Sequence, residues 1–139
     1  MRFARESRSA MRAADTNILV RLVTRDDAAQ CERAVKFFDS GAVFLPKTVL
    51  LELEWVLRYA YALPNPVIVD AISALLDMKR VVAEDESAIR RALTLMANQL
   101  DFADALHLTS SSACQDLATF DQAFAKQAKR AAPGRVALI

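Results

Sequence analysis

The chain has 139 residues and a mass of 15.4 kDa, enough for one domain with a real core and short for two. Hydrophobic residues make up 54% and charged residues 25%, ordinary for a folded protein, and no apolar run reaches the roughly 18 residues a membrane helix needs. Net charge is only +1 but unevenly spread: residues 1–12 carry +3, residues 121–139 carry +3, and the 108 between them carry −5.

Residues 1–10 are polar and basic with no apolar stretch, which excludes a secretory signal. They read as a flexible leader or start-site extension before a single domain over 11–139. Residues 11–15 form a short strand, and Asp15-Thr16-Asn17 is a capping cluster for a helix over 18–23. Residues 26–38 are amphipathic, with Ala29, Val35, Phe37 and Phe38 available for the core. Gly41 marks a turn into a strand over 42–45, and Pro46 stands at the first position of a helix running to about Tyr61. Pro64-Asn65-Pro66 breaks the chain before a helix over 67–78. A brief strand over 80–83 and a helix over 84–96 follow, then a helix opened by Asp101 that runs to about Cys114. Residues 117–120 make an apolar strand, 121–129 a helix and 135–138 the last strand, with no internal repeat. Strands separated by one or two helices imply parallel crossovers and a sheet covered on both faces, an α/β fold.

Several chemistries are excluded outright. Gly41 and Gly134 are the only glycines, so neither a dinucleotide loop nor a phosphate-cradling P-loop can be written. His107 is the only histidine, which argues against a histidine-based zinc site, and the serines at 110–112 lie within a predicted helix and not at a nucleophile elbow. Cys31 and Cys114 lack the pairing of a zinc or redox motif and read as reduced, buried thiols of a cytoplasmic protein.

The acids remain. In parallel sheets, sites form beyond the carboxyl ends of the strands, which singles out Asp15 and Asp121 from eleven aspartates. Each also has a plain structural role open to it, since Asp15 or its neighbours can cap the first helix and Asp121 the last. Glu54 has Arg58 four residues on, a favourable surface pair that accounts for it fully. Glu52 has no such partner and lies at the margin of the stripe Val49, Leu50, Leu53, Val56, Leu57 and Ala60, so it is the better site candidate. Asp101 fits an N-cap; Asp104, three residues on, projects from the same side of the first turn and leans toward a site. Asp15, Glu52, Asp104 and Asp121 make an all-carboxylate set whose hard oxygens suit Mg²⁺ or Mn²⁺, and phosphoryl transfer is the matching chemistry. An acidic middle between basic ends fits a cation site that also meets a polyanion, and fits solvated surface charge equally well.

Four stretches occur in order: ADTNILVRLVTRDD, TVLLELEWVLRYAY, LDFADALHL and LATFDQAF. Together they resemble a PIN-domain ribonuclease of the VapC toxin type, from about Met11 to Ile139. The resemblance implies a three-layer α/β/α sandwich with a central, mostly parallel sheet. It implies that Asp15, Glu52, Asp104 and Asp121 gather around Mg²⁺ or Mn²⁺, with Asp101, Thr16, Asn17 and Thr119 in second rank. The implied function is a metal-dependent endoribonuclease inhibited by a cognate VapB-like antitoxin, and a homodimer. Lysines and arginines at the chain ends would contact RNA backbone. Leu50, Leu53, Trp55, Tyr59 and Tyr61 offer apolar surface beyond one helix stripe, mostly for the core, with some available to a twin subunit or an antitoxin helix. Aspartate-nucleophile phosphatases fit poorly, because the second acid they need is here Asn17, and receiver domains need acid spacings the chain lacks. The remaining alternative is a PIN-fold interaction module with little or no nuclease activity.

Overall fold

The computed structural model describes residues 10–139, and every strand pairing among them is parallel. The basic leader therefore lies, apart from Ala10, outside the described residues. Strand β1 (Arg12–Ala13) pairs with β2 (Val43–Leu45), placing Arg12 opposite Val43, and β2 pairs with β3 (Val81–Ala83), placing Val43 opposite Val81. Strand β4 (Leu117–Thr119) pairs with β5 (Val136–Leu138) as a second group. Parallel neighbours cannot be joined by a tight turn, so each connection carries helix. Helices α1 (Thr16–Thr24) and α2 (Ala28–Asp39) lead from β1 to β2, and α3 (Lys47–Tyr59) and α4 (Asn65–Asp77) from β2 to β3. Helices α5 (Glu86–Ala97) and α6 (Phe102–Ser110) lead to β4, and α7 (Gln122–Ala131) returns the chain to β5. The α/β class and the parallel pairing are as the sequence implies, consistent with an α/β/α sandwich; the strands divide into a three-stranded and a two-stranded group.

Aspartate starts most of these helices. Asp15, Asp27, Asp85, Asp101 and Asp121 are the N-caps of α1, α2, α5, α6 and α7, each accepting a hydrogen bond from a first-turn amide. The core lies between the helices and the strands. Leu19 of α1, Leu45 of β2, Leu53 of α3, Ile72 of α4, Ile89 of α5 and Phe102 of α6 are all fully buried. Each such side chain stabilises the fold by roughly 1.5–3 kcal/mol.

Several local expectations are corrected. The first strand ends at Ala13, and the buried Ala14 stands between it and Asp15. Pro46 is the N-cap of α3 and not its first residue, and the adjacent Lys47 amide is satisfied by Glu84 Oε1 at 2.9 Å. Helix α3 stops at Tyr59, and the chain then turns through Ala62 in a left-handed conformation (φ 51°). Helix α4 starts earlier than predicted, at Asn65, with Pro66 in its first turn where a missing amide hydrogen costs nothing. Helix α6 ends at Ser110, so Ser111 and Ser112 lie beyond it. Ser111 Oγ donates back to the His107 carbonyl at 2.8 Å, competing with the helical ladder, and Arg135 takes up the carbonyls of Ser111, Cys114 and Gln115. Cys114 is consequently exposed, whereas Cys31 on α2 is buried as expected.

The largest correction concerns α3. Its buried face is Leu50, Leu53, Glu54 and Leu57, and Ala60 is exposed. Glu54 does pair with Arg58, Oε2 to Nε at 2.6 Å, but not at the surface: the residue is only 6% exposed. Arg58 donates onward to Asn65 Oδ1 at 2.7 Å, and Asn65 Nδ2 donates to the Met96 carbonyl at 2.9 Å. The chain of bonds ties α3 to the start of α4 and the end of α5. Trp55 and Tyr59 lie on the solvent side of the same helix, whereas Leu50 and Leu53 are in the core.

Candidate metal centre

The acids singled out from the sequence fall into two groups. In the first, Asp15 caps α1, its Oδ1 accepting from the Thr16 amide at 2.8 Å. Thr16 is buried, and its hydroxyl donates to Glu52 Oε1 in a short hydrogen bond. Thr16 therefore connects the end of β1 to α3 and fixes the Glu52 carboxylate, whose Oε2 has no partner among the described residues. Glu52 is exposed, which fits a residue at the edge of the α3 stripe. Asn17 points elsewhere, into a groove between α1 and α2 that Ile18, Arg21 and Phe37 also line.

The second group shares a cleft of about 390 Å³ with Asp101, Asp104 and Asp121 in its wall. Asp101 caps α6 by accepting from the Asp104 amide at 3.2 Å, and Asp121 caps α7 by accepting from the Phe124 amide at 3.0 Å. Thr119 Oγ1 accepts the Asp121 N–H at 3.0 Å, setting the turn that presents Asp121. Each cap spends one carboxylate oxygen on its helix and keeps the other. Asp104 differs. Its side chain is half-buried and accepts no hydrogen bond among the described residues. Burial holds its pKa above the ordinary carboxylate value, the charges of Asp101 and Asp121 raise it further, and His107, one turn along α6, works in the opposite direction. Capping explains Asp101 and Asp121, but no structural role explains Asp104.

Helix α3 packs against both α1 and α6, so Glu52 and the cleft residues Arg58 and Tyr59 stand on the element common to the two groups. A family profile for the PIN domain matches residues 13–130, which spans all of these acids. The chain belongs to the PIN domain family. No curated protein and no solved structure matches it. PIN domains are commonly nucleases and generally use divalent metal ions. The donor chemistry of this PIN domain fits such an ion: the available ligands are carboxylate oxygens, hard and anionic, and three carboxylates line one cleft. Among the described residues, no three acid, histidine or cysteine side chains lie close enough together to hold an ion.

Sequence reasoning had no means of finding the electrostatic asymmetry of the second group. Spacing puts Asp101 and Asp104 on one helical turn, but the approach of Asp121 depends on where β4 delivers α7. The terminal cations also divide unexpectedly. Arg12 lies over the Phe37 ring, 4.8 Å from its centroid, and Arg135 is held by three carbonyls. Lys126, Lys129 and Arg130 of α7 are exposed and make no ion pair among the described residues.

Proposed function

We propose that this PIN domain is a Mg²⁺- or Mn²⁺-dependent endoribonuclease, the toxin of a VapC-type toxin–antitoxin pair, acting in the cytoplasm as a homodimer and inhibited by a cognate VapB-like antitoxin. Asp104 carries the reading: a half-buried carboxylate with no hydrogen-bond partner, faced by two like charges, is an arrangement that costs stability and that a bound cation would relieve. Asp104 offers both oxygens to an ion, while Asp15, Asp101, Asp121 and Glu52 each offer the oxygen that their cap or threonine contact leaves free. The chemistry such an ion supplies when bound is neutralisation of phosphate charge and a lower pKa for water. The residues around the acids orient them: Thr16 holds Glu52 and Thr119 holds the turn at Asp121.

The test is cleavage of a mixed total-RNA pool by antitoxin-free protein, with EDTA and Asp104→Asn as paired controls. Discrete fragments that need metal and disappear with the substitution are the expected result. A second reading, a PIN fold that serves as an interaction module, is favoured by the lack of a closed three-ligand group among the described residues. Titration with Mn²⁺ separates the two, because an interaction module has no need to bind the ion at this cleft. Absence of both cleavage and Mn²⁺ binding in folded protein would reject the nuclease.

A further inference from the structure

Beside the acidic cleft the protein exposes two large aromatic rings. Trp55 is 59% exposed and Tyr59 is 66% exposed, one turn apart on α3, on the side away from buried Leu53 and Leu57. Their ring centroids are 5.4 Å apart at an interplanar angle of 46°, an open V with ring surface left uncovered. Neither the indole N–H nor the phenol hydroxyl has a hydrogen-bond partner among the described residues, so no structural role holds either ring at the surface. Tyr59 lines the same cleft as Asp104 and Asp121. Gln99, Ala123 and Gln127 also line that cleft and are shared with a neighbouring groove that Lys126 and Arg130 line. Tyr59, the carboxylate cleft and cations without an ion pair among the described residues are thus linked through shared lining residues.

We infer that Trp55 and Tyr59 form a stacking platform for unpaired nucleobases of the substrate strand, which crosses the acids and leaves along Lys126 and Arg130. This rests on the nuclease reading above and adds to it a base-binding subsite on α3. Stacking suits the geometry, since every base presents a flat π-face and the platform offers ring surface without a fixed pattern of donors. A backbone leaving toward lysine and arginine meets charge of the right sign, and that contact is blind to sequence. Any preference among bases therefore arises at the aromatic end. Glu54, Arg58 and Asn65 brace α3 from beneath, keeping the platform fixed relative to the cleft.

The chain offers a direct probe, because Trp55 is its only tryptophan. The full chain is titrated in EDTA with eight-nucleotide oligouridylate and oligoadenylate, and with an abasic ribose-phosphate oligomer of equal length. Saturable quenching of indole fluorescence by the base-bearing oligomers, and none by the abasic one, is the expected result. Tyr59→Leu should weaken binding by about 5- to 150-fold in fluorescence anisotropy of a labelled oligomer, and Tyr59→Phe should restore most of it. Asp104→Asn should lose cleavage and keep the quench. Full cleavage with no quench, or folded Trp55→Leu and Tyr59→Leu proteins with parental affinity and KM, would overturn the platform and leave the nuclease standing. If Trp55→Leu instead converts a dimer to a monomer at unchanged oligonucleotide affinity, the surface belongs to a second copy of the chain and the inference fails. If the parent protein neither cleaves RNA nor binds any oligomer, the nuclease reading falls first and the platform with it.

Discussion

The buried ion pair on α3 makes an asymmetric prediction. The Glu54 side chain is 8% exposed and that of Arg58 is 29% exposed. Replacing Arg58 by Met strands a carboxylate that cannot reach water, and uncompensated buried charges of this kind cost about 3–5 kcal/mol. Replacing Glu54 by Leu strands a guanidinium that keeps the Asn65 Oδ1 bond and has a path to solvent, so the loss should be nearer 1–2 kcal/mol. The double variant Glu54→Leu/Arg58→Met leaves no orphaned charge and should fall within about 1 kcal/mol of the parent. For a chain of this size 1 kcal/mol moves Tm by roughly 3–4 °C, so Arg58→Met should melt about 9–20 °C low and Glu54→Leu only about 3–8 °C low. Urea denaturation of all four proteins closes the double-mutant cycle. Equal losses from the two single variants, or a larger loss from Glu54→Leu, would show that desolvation of the carboxylate is not what makes the pair important.

Asp104→Asn should abolish Mn²⁺ binding measured by calorimetry while leaving Tm unchanged or slightly raised, because it removes a carboxylate that Asp101 and Asp121 repel and that no hydrogen bond stabilises. Asp26 should titrate at about 2, since it accepts from the Tyr61 and Thr24 hydroxyls and pairs with Arg21. Its depressed pKa means that this contribution is complete above about pH 4 and is lost as pH falls through 2. Carboxyl NMR titration reads the value directly, and Tyr61→Phe should move it upward. Replacing Lys126 and Arg130 by Gln should each reduce the slope of log affinity against log salt for single-stranded RNA by about 0.7, with little effect on base preference. Binding measured at several salt concentrations tests that expectation.

What was legible in the sequence followed from local chemistry. Capping aspartates, helix periodicity and short apolar strands are properties of neighbouring residues, and they placed every element to within a few positions. The pairing of Glu54 with Arg58 was legible from their spacing, whereas Glu52 has no ion pair among the described residues and meets Thr16 instead. That Glu54 points into the core was not legible, because its burial depends on α4 closing over α3, a contact between segments with no local signature. The same holds for Trp55 and Tyr59. Composition favours burying large rings, and only the packing of α3 against α1, α4 and α6 decides which of its faces remains uncovered. The end of α6 is hidden from the sequence for a related reason: the carbonyls past Ser110 are satisfied by Arg135, more than twenty residues away in sequence.

The caps of α1, α6 and α7 give each acid two separable functions. One oxygen fixes a helix start and the other is spared by the cap, so the acids proposed here as ligands look, from sequence, like ordinary capping aspartates. Asparagine caps a helix about as well as aspartate but carries no charge, whereas alanine does neither. For Asp121, substitution by Asn should therefore leave stability within a few tenths of a kcal/mol, and substitution by Ala should cost about 1 kcal/mol, since the Phe124 amide loses its acceptor. Both should weaken Mn²⁺ binding to a similar degree, because both remove the free carboxylate oxygen. If the two variants instead lose metal in proportion to the stability they lose, Asp121 acts by holding α7 in place and not as a ligand. Equal metal loss at unequal stability assigns it to the ion.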